Sequence, residues 1–212
     1  MIRENIIIIG AGQMGELVSN IILRQDKYSV LGFLDKKNSK KKINGYKVLG
    51  NDTLLYKKKL KIKNIVIAVA DIKIRFKIYK KLLKLNYKFP NIIDPSVILD
   101  KNVKLKKGII ICMNSVILNK AKINDLTIVG TSVNILHDTK IGKNCVIGGG
   151  SVIGANVTCQ DNVFIGVGSV FPSKKMTIGE NSFISSGSVV LNSVKNKSKI
   201  IGNPARVISI NE

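Results

Sequence analysis

Ile135-Leu-His-Asp-Thr-Lys-Ile141-Gly-Lys-Asn-Cys-Val-Ile147-Gly-Gly-Gly-Ser-Val-Ile153-Gly-Ala-Asn-Val-Thr-Cys159 carries an apolar residue at every sixth position. Followed outward, the same register runs unbroken from Ile93 through Leu99, Leu105, Ile111, Ile117, Ile123 and Val129, and onward through Ile165 to Phe171. A second, mostly smaller set stands two residues ahead of it, including Ser115, Ala121, Thr127, Thr139, Cys145, Ser151 and Ser169. Glycine follows the large aliphatic residue at positions 142, 148, 154 and 166. A period of six is neither helical nor that of a simple strand. It is the period of a parallel β-helix, in which short strands lie on flat faces, one aliphatic residue per hexad fills the interior, and small or turn-forming residues take the corners. The hexads from about residue 97 to 194 amount to about five coils of three faces at the usual ~4.8 Å strand spacing. One register break is expected, where the spacing from Phe171 to Ile178 becomes seven and a loop at residues 172–176 absorbs the extra residue.

The hexads begin near residue 93, so the chain of 212 residues divides into domains at residues 1–93 and 94–212. No run of eighteen apolar residues exists, and the run at residues 6–9 is too short for a signal peptide or a membrane span. A cytoplasmic protein without membrane insertion is therefore expected. Cys145 and Cys159 fall on inward repeat positions and Cys112 follows one, a spacing that suits reduced packing residues and neither a disulfide nor a metal site. The net charge of +22 raises nucleic-acid binding as a possibility. However, the 17 Lys and one Arg between residues 36 and 88 are scattered among Ile, Asn and Leu without stacking aromatics. Solvated faces and attraction of small anionic molecules are the better reading, and no nucleic-acid partner is expected.

In the amino-terminal half, Asn5-Ile-Ile-Ile-Ile9 reads as a buried parallel strand. Gly10-Ala-Gly12-Gln13-Met14-Gly15 follows at once, and then the helical apolar spacing Met14, Leu17, Val18, Ile21, Ile22. Such a strand, glycine turn and helix bring backbone N–H groups and a helix N-terminus up to a phosphate. A second strand at residues 29–34 ends in Asp35, whose carboxylate is placed to accept hydrogen bonds from a nucleoside. Residues 64–70 form a third strand and residues 72–85 a helix with a basic outer face. Fewer than sixty residues separate Asp35 from the repeats, too few for the second half of a full Rossmann domain. A single nucleotide fits better than a dinucleotide. The plain alternative is a glycine turn that serves the backbone alone.

His137 is the only histidine. It lies two residues beyond the inward Ile135, at an outer face or corner, and is the one obvious general base near neutral pH. Asp138 is an acceptor for its ring, provided a corner or a neighbouring subunit brings the two together, because adjacent strand residues point to opposite faces. One histidine per chain does not supply the three-histidine zinc site of the β-helical carbonic anhydrases, and no metal is expected.

Taken together, Gly10-Ala-Gly-Gln-Met-Gly15, Phe33-Leu34-Asp35, Ala68-Val-Ala-Asp71 with Arg75, Asp94-Pro95-Ser96, His137-Asp138, the isoleucine-glycine hexads and Gly202-Asn-Pro-Ala-Arg206 resemble a known family. It is that of the bacterial sugar O-/N-acyltransferases of the sialic-acid O-acetyltransferase and UDP-4-amino-sugar (UDP-bacillosamine) N-acetyltransferase type. The resemblance spans nearly the whole chain. It implies a small α/β Rossmann-like nucleotide-binding domain followed by an all-β left-handed parallel β-helix of hexapeptide repeats. It also implies a homotrimer with sites between adjacent β-helices, using acetyl-CoA as co-substrate.

By the same resemblance, Gly10, Gly12, Gln13, Met14 and Gly15 line the nucleotide loop, and Asp35 with Lys36 approach the base or ribose. His137 matches the general base and Asp138 its acidic neighbour. Val146, Gly148, Gly166, Val167, Ser185 and Ser186 match the coenzyme A groove. Val146 is a departure, standing where members often carry a second histidine that contacts the thioester. The implied activity is acetyl transfer to a nucleotide-linked amino sugar (UDP- or GDP-4-amino sugar) for surface glycan biosynthesis. O-acetylation of a sialic acid or related sugar, and a non-catalytic trimeric scaffold, are the competing readings.

Overall fold

Ile6, Ile7, Ile8 and Ile9 are almost wholly buried and form the inner end of β1 (Glu4–Ile9). A strand apolar on consecutive residues has both faces covered, as a central parallel strand does. The computed structural model describes residues 3–37, 42–57 and 62–210. The chain divides into two compact units, Met1–Pro95 and Ser96–Glu212.

In the first unit the chain continues through α1 (Gln13–Gln25), β2 (Tyr28–Leu34), β3 (Lys42–Ile43), β4 (Tyr46–Gly50), α2 (Thr53–Tyr56), β5 (Asn64–Ile67) and α3 (Ile72–Leu83). The sheet order is β3-β4-β2-β1-β5. β1 runs parallel to both β2 and β5, and β2 runs parallel to β4, giving an open α/β sheet. The expected strand at residues 64–70 ends at Ile67, because the carbonyls of Val69 and Ala70 leave the ladder to accept from the buried Arg75 guanidinium at 2.9 and 3.0 Å. Asp71 caps α3, its carboxylate accepting from the Ile74 N–H at 2.8 Å. The β3–β4 hairpin and α2 were not anticipated. Asn44 (φ 48°) and Gly45 (φ 81°) supply the turn that such a hairpin demands, but the flanking lysine-rich residues show no alternation to announce strands.

The second unit is a left-handed parallel β-helix. Its first face stacks Ile98–Leu99, Val116–Ile117, Asn134–Ile135, Val152–Ile153 and Val170–Phe171. The second stacks Lys104–Leu105, Lys122–Ile123, Lys140–Ile141, Val157–Cys159 and Met176–Ile178. The third carries Ile110–Ile111, Ile128–Val129, Val146–Ile147, Phe164–Ile165 and Phe183–Ile184, and ends in the antiparallel pair Ser198–Gly202 and Ala205–Ile210. Partners in successive coils are eighteen residues apart, as in Lys122↔Lys140 and Val129↔Ile147.

Each corner has a residue with left-handed backbone, recurring every six positions at Ser132, Asp138, Asn144, Gly150, Asn156 and Asn162 (φ 55° to 69°). The small inward residues close the corners with a ladder of hydroxyl bonds. Thr127 Oγ1 donates to the Gly142 carbonyl, Thr139 Oγ1 to Gly154 and Ser115 Oγ to Gly130, each at 2.8 Å. The expected extra residue is present, since Cys159 pairs with Ile178 at a separation of nineteen. The expectation of a single break needs correction. Inward Val190 is followed by inward Val194, and Ile178 bridges Val194 across only sixteen residues, so the final coil is shortened by two. The first coil is less enclosed, Leu99 remaining 38% exposed.

Candidate active site

His137 and Asp138 occupy the corner between the first and second faces. Because Asp138 takes the left-handed backbone of the corner (φ 58°), consecutive side chains do not diverge as they do on a strand, and Asp138 Oδ2 lies 2.9 Å from His137 Nδ1. The corner alone, without a second subunit, brings them together. The hydrogen bond from His137 is the largest influence on Asp138 and, with Lys120 and the imidazole charge, holds its carboxyl below the usual carboxylate range. An ionised carboxylate only accepts, so the contact fixes the proton on Nδ1 and leaves Nε2 with its lone pair outward. The imidazole is 56% exposed, open to a reactant.

The groove positions fall on the corner between the third and first faces. Close coil packing requires glycine there: a Cβ on Gly148 would stand 2.5 Å from the Val167 nitrogen, and one on Gly166 would collide with the backbone of Ser186. The amides of Gly148, Gly166 and Ser185 are consumed in the ladder, donating to Ile165, Ile184 and Ile200 at 2.7, 2.8 and 2.9 Å. Those of Gly149, Val167 and Ser186 find no acceptor among the described residues, and they form one column along this corner. At the corner between the second and third faces the amides of Lys107 and Lys143 are instead taken by the carboxylates of Asp125 and Asp161, at 3.2 and 2.7 Å. The Gly148 to Gly150 segment neighbours Val146 in the sequence, and only its place in the coil separates the amide of Gly149 from that of Gly148. Val146 is half-buried on the third face and offers no hydrogen-bond donor from its side chain.

In the first unit, Gly10 has φ 104° and a Cβ there would stand 2.5 Å from the Ala68 oxygen, while a Cβ on Gly15 would strike the Gly10 carbonyl. These glycines let α1 start tightly against β1. Gly12 precedes the helix with no side-chain cap, leaving the α1 N-terminus open. Asp35 is drawn into the turn: one carboxylate oxygen accepts from the Ala11 N–H at 2.9 Å and the other from the Lys37 N–H at 2.7 Å.

A cavity of about 420 Å³ opens beside them. Gly10, Asp35 and Lys36 line it, whereas Gly12, Gln13, Met14 and Gly15 are not among its lining residues. Asp52, Tyr56, Lys77 and Lys81 also contribute and were missed; only the i, i+4 spacing of the two lysines hinted that one side of α3 gathers charge. Tyr56 Oη donates to Asp52 Oδ2 at 2.8 Å, and burial, reinforced by that carboxylate, pushes the phenol up.

The remaining chemistry-bearing groups are structural. Cys112, Cys145 and Cys159 are buried thiols outside any disulfide, and burial pushes the Cys159 thiol well above its ordinary value. Buried Asp94 receives Arg24 at 2.5 and 2.8 Å. No cluster of three or more His, Cys, Asp or Glu suited to a metal occurs among the described residues. None of their helices is long and apolar enough to cross a membrane.

Comparison with known proteins matches residues 5–82 to the PglD N-terminal domain and residues 88–178 to the GMPPB C-terminal domain. The chain is 29% identical over 208 residues to GDP-perosamine N-acetyltransferase of Escherichia coli O157:H7, covering 94% of each. It superposes with a TM-score of 0.91 on PerB from Caulobacter crescentus, crystallised with CoA and GDP-perosamine, at 25% identity and 97% coverage of both chains. The acetyltransferase domain of PglB from Neisseria gonorrhoeae shares the fold, with a TM-score of 0.91 at 24% identity, covering 97% of this chain and 100% of that one.

Proposed function

We propose that this chain, which belongs to the hexapeptide-repeat acetyltransferase family, transfers the acetyl group of acetyl-CoA to the amine of a nucleotide-linked 4-amino sugar. The observation that carries the reading is the 2.9 Å contact of His137 with Asp138 at a β-helix corner. It orients an exposed imidazole with its Nε2 lone pair available. Acetyl-CoA supplies the activated thioester. Nε2 takes the proton that the attacking nitrogen loses as the N–C bond forms, and returns it to sulfur as the C–S bond breaks. No covalent enzyme intermediate is needed, and buried Cys145 is no rival nucleophile.

The open amides of Val167 and Ser186, with the backbone around Gly148, Gly166 and Ser185, suit the amide-rich arm of coenzyme A. The amide of Gly149 is the donor that replaces a second histidine at Val146. In residues 1–93 the cavity lined by Gly10, Asp35 and Lys36 suits the nucleoside of the acceptor. The apolar outer residues Phe164 and Phe183, stacked at 4.8 Å, support a homotrimer that covers this face in a neighbouring copy.

The test is release of CoA thiol from acetyl-CoA with GDP- and UDP-4-amino sugars, read with mass detection of the acetylated product. His137→Ala is expected to lower kcat roughly 10²- to 10⁴-fold, the usual worth of a general base. Undiminished turnover in that variant sinks the mechanism, and acetylation of free sialic acid alone would replace the acceptor.

A further inference from the structure

The corner that holds Asp138 continues into earlier coils with Lys120 and Asn102 at the same position, one and two coils away. Beside this column runs another on the second face, where Lys104, Lys122 and Lys140 are paired in direct register. These six residues, two columns by three coils, line a groove of about 270 Å³. Four are lysines, and the one acid, Asp138, is already engaged by His137. Among the described residues none of the four lysines forms an ion pair. Like charges directly opposite on neighbouring strands disfavour a sheet, yet three ammonium groups repeat at the ~4.8 Å strand spacing. Most outward positions of the other faces, such as Val116, Val152, Val146 and Phe164, are apolar, and three lysines in direct register occur on the second face.

We propose that the Lys104, Lys122 and Lys140 column, with Lys120, is a phosphoryl-anion site that holds the diphosphate of the acceptor while its amine lies at His137. The inference rests on the acetyl-transfer reading given above. Two sources of phosphoryl groups exist, and reach separates them. The pantetheine arm sets the nearest phosphate of coenzyme A on the order of 15 Å from the thioester sulfur by ordinary bond lengths. In a sugar bearing diphosphate at C1 and an amine at C4, one ring separates them, roughly 6 Å on the same basis. Lys140 follows His137 by three residues in the same coil, and Lys122 stands one coil, ~4.8 Å, from Lys140. The lysine column runs from Lys140 toward earlier coils only, since Thr158 and Thr177 take the same outward place in the later ones.

The full chain carrying Lys104→Gln, Lys122→Gln and Lys140→Gln together is compared with a control that loses the same charge at exposed positions elsewhere, Lys63→Gln, Lys84→Gln and Lys88→Gln. Titration calorimetry with inorganic pyrophosphate at low salt is expected to show at least tenfold weaker binding, or loss of one site, in the column variant only. Equal binding by column variant and control overturns the proposal. In steady-state assays the column variant should raise KM for the nucleotide amino sugar about tenfold, with KM for acetyl-CoA unchanged. A rise confined to acetyl-CoA overturns the assignment to the acceptor. If the wild-type chain acetylates no nucleotide amino sugar, the functional reading fails, while the pyrophosphate comparison still decides whether the anion site exists.

Discussion

Thr127 offers the sharpest test of what holds the coils together. It is fully buried, and its single hydroxyl serves two coils: Oγ1 donates to the Gly142 carbonyl at 2.8 Å and accepts from the Cys145 N–H at 3.2 Å. Thr127→Val keeps the shape but strips both backbone groups of that partner. Each buried group so deprived costs about 1–3 kcal/mol, so the pair should lose roughly 2–4 kcal/mol. Thr127→Ser keeps both bonds and removes one methyl group, about 1 kcal/mol. For a chain of this size each kcal/mol moves Tm by about 2–4 °C, so the valine variant should melt roughly 4–16 °C lower and the serine variant about 2–4 °C lower. Scanning calorimetry at a fixed protein concentration, backed by urea midpoints, makes the comparison. A serine variant as destabilised as the valine variant would refute the reasoning, because packing and not hydroxyl bridging would then dominate the corner.

Two further outcomes concern the site. Asp138→Asn should lower kcat/KM by roughly tenfold or more by releasing the imidazole orientation. Because the folded carboxyl lies below its ordinary value, its stabilising effect is present above the unfolded value and fades as pH falls through the folded one. The wild type and Asp138→Asn should therefore differ in Tm at neutral pH and converge in acid, and a difference that persists or grows there would contradict the pairing. Gly166→Ala should force apart the coils where its Cβ meets the Ser186 backbone, costing about 1–3 kcal/mol. It should also raise KM for acetyl-CoA more than KM for the amino sugar, measured with each substrate varied in turn.

Much of the β-helix was legible because a six-residue period repeats one physical requirement many times. Inward positions such as Ile117, Ile135 and Ile153 are fully buried as the pattern demanded. The break after Phe171 was legible for the same reason. The shortening between Val190 and Val194 was not, since near the end of the repeats too few hexads remain to set a register against. In the first unit, Ile6 to Ile9 declared a buried strand by composition, but β3 and α2 lie among lysines, where propensity is weak and the pairing strand decides.

The amino acids alone determined the solenoid, the glycine turn against β1 and the presence of one imidazole beside one carboxylate, because each follows from local periodicity or from a residue type that no other replaces. Tertiary structure decided what those groups touch. The left-handed backbone of Asp138 turned two neighbours in sequence into a hydrogen-bonded pair. Coil stacking put Lys104, Lys122 and Lys140 in one column although eighteen residues separate each from the next. It also left the amides of Gly149, Val167 and Ser186 open while consuming those beside them. The turn brought the Asp35 carboxylate to the Ala11 and Lys37 N–H groups while it lines the cavity of residues 1–93. Hydrogen bonds are satisfied by proximity in space, and in a solenoid proximity is set by the length of a coil.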